Sequence, residues 1–306
     1  MKIVLDKGSV KGIQFASGVC AHDGLYSHIL FVAGERIQVI GTNLDQTNAA
    51  ILQGSITEKG SIMLPAKKFL AIARAAGDAI EIESDGTAVK IKSGRVRHKL
   101  VCMDPESFPT VHIPENGWVP IPAGTLRNVI EAVDFSIATD DSRYVFNGVF
   151  LARKNDKLTA VATDGRRLAL VSRLVADASP IPEKGIIVSG GLIREIKKFL
   201  SQDGRAFLVV NETSFSVSDP DTGYTTTGRL IDGVFPDYQQ VIPKKLTGRC
   251  EVSRTELLTV LQNMILSEDI RRVYAIFGEN PLVIGCSAAD HGESTGELDC
   301  KTSGEV

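Results

Sequence analysis

The chain is poor in aromatic side chains, which make up 6% of its 306 residues with a single Trp, and its five cysteines are odd in number and far apart. Cys20, Cys102, Cys250, Cys286 and Cys300 form no CxxC pair, which excludes the usual zinc-ribbon and thioredoxin-like spacings and a disulfide-stapled mini-protein. Reduced thiols in a cytoplasmic setting fit this pattern. Charge of one sign is also lacking: the formal net charge is −3, so no overall basic excess holds nucleic acid by counterion release, and any such contact must come from local clustering. No stretch approaches the ~18 uninterrupted apolar residues of a membrane span. Asp6 and Lys7 fall where a signal peptide needs an apolar core.

Catalytic signatures are absent as well. The chain contains no GxxxxGK[ST], GxSxG or HExxH motif, and His22, His28, His98, His112 and His291 show no metal-ligand spacing. Asp140 and Asp141 are adjacent, which turns their carboxylates apart on most backbones and reads as a solvated helix end. Asp164-Gly165 before two arginines could suggest phosphate chemistry, yet Asp-Gly at a strand end is the chemistry of a turn. No acid–base or nucleophile set can be named, and no cofactor is implied.

What is present is a balanced globular composition, 43% hydrophobic and 23% charged, long enough for two or three domains. The order of elements repeats. Leu64-Pro65 leads into the helical run AKKFLAIARAAG, then IEIES, an Asp85-Gly86 turn, AVKIKSGRVRHKLVCM and Phe108-Pro109. Further on, GLIREIKKFLSQ is followed by AFLVV, FSVSD, YTTTGRLID and Phe235-Pro236. Upstream, ILFVAGERIQVIGTN parallels GVFLARKNDKLTAVATD, so Thr42 and Thr163 mark equivalent points. A third start follows Cys250: SRTELLTVLQNMIL predicts an amphipathic helix with Leu257, Leu258, Leu261, Met264 and Ile265 on one face, and VYAIF and LVIGCSA predict a strand pair. The third copy stops at Val306 before any counterpart of the second helix. That predicts an α+β repeat fold with antiparallel sheets and domains at 1–115, 116–246 and 247–306, the last incomplete.

On a helical wheel, GLIREIKKFL places Leu192, Ile193, Ile196, Phe199 and Leu200 on one face, Arg194 and Lys198 opposite, and Lys197 at the flank. The matching helix of the first copy buries Phe69, Leu70, Ala73 and Ala76 and leaves Lys67 and Lys68 outward, with Arg74 at the edge. Either basic face alone is an ordinary solvated surface; recurrence at equivalent positions points to a positive lining that contacts phosphates without reading sequence.

Four runs in order, LPAKKFLAIAR, RYVFNGVFL, VATDGRRLA and GVFPDYQQVIP, resemble the bacterial beta sliding clamps, the processivity subunits of DNA polymerase III. The resemblance implies a DNA-clamp fold of internally repeated domains, each of two helices packed on antiparallel sheets. It implies a non-catalytic homodimeric ring that encircles duplex DNA and partners the polymerase III alpha subunit, the clamp loader and other proteins carrying a clamp-binding motif. Matched residue by residue, it implies a partner-peptide pocket walled by Phe146, Thr163, Gly165, Arg166, Arg167 and Leu168, with Pro236, Gln240 and Val241, and a DNA channel with Lys67, Lys68, Arg74, Tyr144, Arg194, Lys197 and Lys198. Arg166 stands where the family often has His, and Gln240 where a basic residue is common. The family's last strands complete both the pocket and the third domain, so the alternative is a clamp-like scaffold that does not encircle DNA.

Overall fold

A computed structural model describes the chain except residues 87, 176–179, 265–272, 277–279, 289–291 and 305–306. The first run of elements is β1 (Lys2–Asp6), α1 (Ser9–Ser17), β2 (His28–Ala33), β3 (Ile37–Thr42), β4 (Gln46–Leu52), β5 (Gly54–Glu58), β6 (Gly60–Pro65), α2 (Ala66–Ala75), β7 (Ala79–Ser84), β8 (Ala88–Ser93) and β9 (Val96–Val101). The second is β10 (Val119–Pro122), α3 (Ala123–Glu131), β11 (Gly148–Lys154), β12 (Lys157–Thr163), β13 (Leu168–Leu174), β14 (Ile186–Ser189), α4 (Gly190–Phe199), β15 (Arg205–Val210), β16 (Ser214–Asp219) and β17 (Tyr224–Arg229). A third begins with β18 (Gly248–Val252), α5 (Arg254–Met264), β19 (Val273–Ile276), β20 (Leu282–Ala288), β21 (Gly292–Leu298) and β22 (Cys300–Gly304). The contacts divide the chain into two units, Met1–Phe235 and Pro236–Val306.

Within the first unit the two repeats share one sheet. Its eight strands run β10-β15-β16-β17-β4-β3-β2-β6, and the β4–β17 ladder, with Asn48 opposite Thr226 and Ala50 opposite Tyr224, joins the copies. One row across this sheet, Ile62, Phe31, Val39, Ala50 and Tyr224, shows which face is covered. Phe31 meets Phe69 of α2 edge-on at 5.1 Å, and Tyr224 stacks on Phe15 of α1 at 4.8 Å. Phe15 in turn meets Phe199 of α4 at 5.3 Å, so α2, α1 and α4 lie on the same face, and α3 packs beside α4. Gly41 permits the approach of α1: a Cβ there would stand 2.0 Å from the Ala16 carbonyl oxygen. The remaining strands form a five-stranded sheet, β5-β1-β7-β8-β9, and a four-stranded one, β13-β12-β11-β14.

A buried polar network crosses the joint between the copies. Asn48 Nδ2 donates to the Phe15 carbonyl at 3.0 Å and to Glu195 Oε2 at 2.9 Å, while Thr226 Oγ1 donates to Asn48 Oδ1 at 2.7 Å. Glu195, although on α4, faces inward and is 7% exposed. Its charge is compensated by Lys198 at 2.5 Å. A buried carboxylate is tolerated when it is paired and hydrogen-bonded in this way.

In the second unit β19-β20-β21 form one sheet and β18-β22 another. β22 pairs with β18 as β5 pairs with β1, antiparallel in both cases. The expectation from sequence stopped at the β19–β20 pair; β21 and β22 were not foreseen, because GESTGEL and CKTSG carry little of the apolar alternation that marks a strand. α5 turns Leu257, Val260, Leu261 and Met264 to the local core, the spacing of one helical face. Leu258, expected on that face, is instead 44% exposed, because it follows Leu257 by ~100° around the helix. Ile265 and His291 lie outside the described residues. Among the described residues no helix is long and apolar enough to cross a membrane.

Candidate nucleic-acid interface and partner-peptide wall

Helix α4 begins at Ser189, whose Oγ accepts from the Leu192 N–H at 3.3 Å, and ends with Lys197 and Lys198 in its last turn, where cations complement the helix dipole. Leu192, Ile193, Ile196 and Phe199 are buried, which leaves Arg194 and Lys198 directed away from the sheet. α2 does the same on the other copy: Phe69 and Ala73 are buried, Leu70 and Ala76 half-buried, and Lys67, Lys68 and Arg74 exposed. Because the two helices lie on one face of one sheet with α1 between them, these cations share a side of the unit.

Not all of the expected cations are equally free. Lys197 is half-buried and paired with Asp134, and Lys198 carries the Glu195 contact described above. Lys67 Nζ reaches His22 Nδ1 at 2.7 Å. Lys11 of α1 is exposed on the same helical layer and was missed from sequence. Its signal was weak: on the wheel it lies opposite Ile13 and well away from Ala16 but beside Phe15, and one lysine on a short helix gives no repeat to compare. Tyr144 is 59% exposed, next to Val145 and Gly233, where a Cβ on the glycine would stand 2.9 Å from Val145 Cγ1 and 3.2 Å from the Tyr144 hydroxyl.

The run Thr163 to Leu168 is the turn between β12 and β13. Thr163 Oγ1 donates to the Arg167 carbonyl at 2.7 Å and accepts from the Gly165 N–H at 3.0 Å. Asp164 Oδ1 accepts from the N–H groups of Arg166 and Arg167 at 2.9 and 3.0 Å, and its Oδ2 from Arg167 Nε at 3.0 Å. The Arg167 and Arg166 backbone donors, in that order, hold the Asp164 carboxyl below the usual aspartate range. Gly165 sits at φ +83°, and a Cβ there would also press on Arg143 Nη1 at 2.9 Å. The first repeat builds the same turn at Thr42: Oγ1 donates to the Gln46 carbonyl at 2.8 Å and accepts from the N–H of Leu44, which sits at φ +77°.

Beside this turn Phe146 is 9% exposed, with the Arg143 guanidinium 5.8 Å from its ring centre and Phe235 edge-on at 6.0 Å. Phe235 stacks on Phe150 at 5.0 Å. Arg166 and Arg167 are exposed, and Arg167 also lies 5.7 Å from the exposed ring of Phe135. Leu168 is half-buried opposite Thr163. The structure therefore brings Phe146, Thr163, Gly165, Arg166, Arg167 and Leu168 to one end of the four-stranded sheet, with Phe146 buried, Leu168 half-buried and Arg166 and Arg167 exposed. Pro236, Gln240 and Val241 begin the second unit and are all exposed, Val241 at 68%. Gln240 Nε2 donates to Asp237 Oδ2 at 3.0 Å within a single 3-10 turn. Among the described residues no cluster of three or more His, Cys, Asp or Glu is poised to hold a metal.

Repeated helices on one side of shared antiparallel sheets define the α+β DNA-clamp fold. The profile of the DNA polymerase III beta subunit N-terminal domain matches residues 24–112, and that of its central domain residues 120–237. The chain is 32% identical over 296 residues to the beta sliding clamp of Haemophilus influenzae, covering 90% of this chain and 76% of that protein. It is 29% identical over 300 residues to the beta sliding clamp of Escherichia coli K12, with the same coverage. Among solved structures, the DNA polymerase III subunit beta of Pseudomonas aeruginosa superposes with a TM-score of 0.90 at 26% identity, covering 100% of this chain and 86% of that one. The Bartonella birtlesii sliding clamp bound to griselimycin gives 0.89 at 27% identity, with 100% and 85% covered. The chain belongs to the bacterial beta sliding clamp family, the non-catalytic beta subunits of DNA polymerase III that act in DNA replication.

Proposed function

We propose that this chain encircles duplex DNA as a homodimeric ring and tethers the polymerase III alpha subunit and other clamp-binding proteins through a hydrophobic peptide pocket, after loading by a clamp loader. The observation that carries this reading is the shared helical layer: Lys11, Lys67, Lys68, Arg74 and Arg194 are exposed from helices on one face of one sheet, in a chain whose net charge is −3. Such a layer attracts phosphates without reading bases, and contacts of that kind keep the attachment mobile. Lys68, Arg74 and Arg194 are the strongest candidates for the DNA channel, with Lys67 beside His22; Tyr144 supplies an aromatic, and Lys197 and Lys198 are held by Asp134 and Glu195.

The peptide pocket is assigned to Phe146, Thr163, Gly165, Arg166, Arg167 and Leu168 with Pro236, Gln240 and Val241. An apolar anchor needs an apolar floor with a few orienting polar groups, which the first six supply. The three-domain division at 1–115, 116–246 and 247–306 rests on the threefold recurrence of strand, helix and antiparallel strands. Closure by a second copy is supported by β9, the edge of the five-stranded sheet. It leaves Val96 and Val101 exposed, and on its outer side sets Lys99 opposite Lys90 and Arg97 opposite Lys92. Lys92 is already paired with Glu81 at 2.7 Å, so Lys90, Arg97 and Lys99 are the cations at this edge that an acidic surface of a second copy would complement.

Retention on nicked circular DNA tests the proposal. With a clamp loader and ATP, the chain should stay on the circle and be lost when the circle is linearised. Equal retention on both forms, or none on either, would falsify topological loading.

A further inference from the structure

β18 and β22 are paired in a register that sets Cys250 opposite Thr302 and Val252 opposite Cys300. The two cysteines are therefore diagonal neighbours on one face of a two-stranded sheet, and both pack against the core of Met264, Leu282, Ile284, Cys286 and Leu298. Diagonal neighbours on adjacent strands stand roughly 7–8 Å apart, nearer at Cβ, which is the outer limit of disulfide reach, so closing a bond between them draws the two strands slightly together. Both cysteines are free and half-exposed, and the nearness of Cys300 is among the causes that raise the Cys250 thiol. No other cysteine is placed this way. Cys20 Sγ reaches the carbonyls of Ala16 and His28, Cys102 Sγ that of Gly86, and the buried Cys286 Sγ that of Ser294.

We propose that Cys250 and Cys300 form an oxidisable dithiol, joined into an inter-strand disulfide by exchange with a small-molecule disulfide of the glutathione type. One protein thiolate attacks the small disulfide and expels one small thiol, leaving a mixed disulfide. The second protein thiol, deprotonated, attacks the protein sulfur of that bond and expels the other small thiol. The protein gives up two electrons and two protons, and the small disulfide is reduced to two thiols. Exclusion of water, then the neighbouring Cys300, raises the Cys250 thiol above its ordinary value of 9.0, so the exchange quickens as pH rises through the alkaline range.

The bond would fasten the first strand of the Pro236–Val306 unit to β22 and enclose α5 and β19–β21 in one covalent loop. A two-stranded sheet by itself is marginal, and closing a loop of this length restricts the unfolded chain. Oxidation would thus set the stability of the unit without altering the first one.

The test is native treatment of the intact chain with oxidised glutathione, quenching by alkylation, and a non-reducing peptide map. A linked peptide pair containing Cys250 and Cys300, two hydrogens lighter than its reduced parts, is expected in the wild type and in C286S but not in C250S or C300S. Linkage through any other pair, a stable glutathione adduct that never resolves, or five thiols that all remain open to alkylation overturns the proposal. If a serine variant fails to fold, differential alkylation of the wild type before and after oxidation still decides the outcome.

Discussion

Asn48 uses both side-chain N–H groups and its carbonyl oxygen in the joint between the two repeats, contacting Phe15, Glu195 and Thr226. Removing it leaves buried acceptors and a carboxylate short of donors. Asn48→Ala should lower the stability of the Met1–Phe235 unit by about 3 kcal/mol, measured as a shift of the urea midpoint at constant slope. A change within experimental scatter would mean that water replaces the amide at no cost. At the β12–β13 turn the sign of the pH effect is fixed by the lowered Asp164 carboxyl. A depressed folded pKa stabilises the turn above the unfolded aspartate value, about 3.9, and that contribution is lost as pH falls through the folded one. The amide proton shifts of Arg166 and Arg167 should therefore hold steady down to ordinary aspartate titration and move only below it; a midpoint at or above that value would contradict the hydrogen-bonded geometry.

At the scale of elements, helix faces were the most legible part of the sequence. A period of 3.6 separates buried Phe69 and Ala73 from Lys67 and Lys68, and buried Ile193 and Ile196 from Arg194, with no knowledge of what lies beneath. Ion pairing was not legible: Lys197 meets Asp134, which is distant in sequence, and Glu195 is buried because Asn48 of the other repeat receives it. Replacing Lys67, Lys68, Arg74 and Arg194 together by Ala should flatten the slope of log affinity for duplex DNA against log salt by about 3–4. The exposed positions and the helix propensity of Ala should leave the fold intact. An unchanged slope would remove this layer from the DNA contact.

For the whole molecule, the partner-peptide proposal draws residues from both units. Leu168→Ala with Val241→Ala should weaken binding of a polymerase-tail peptide by about 100-fold in isothermal titration while leaving the oligomeric state unchanged. Undiminished affinity would place the peptide elsewhere. The four ordered runs identified the family because they fall at turns and helix starts, where local chemistry restricts the choice of residue. The Thr163 turn is a case: its Thr, Asp and Gly each have a bond or a backbone angle to satisfy, and Thr42 with Asn43 repeats the scheme.

The sequence by itself determined the repeat, helices α2, α4 and α5 with the strands that follow them through β20, the basic outer faces and the turn beside Phe146, since each follows from periodicity or local hydrogen bonding. Only the tertiary structure decided that β4 and β17 fuse two repeats into one sheet, that Asn48 and Glu195 lie buried at the joint, and that Cys250 and Cys300 are neighbours. These depend on which distant strands pair and in what register. Pairing partners are selected by burial of whole faces, which no local window of residues contains.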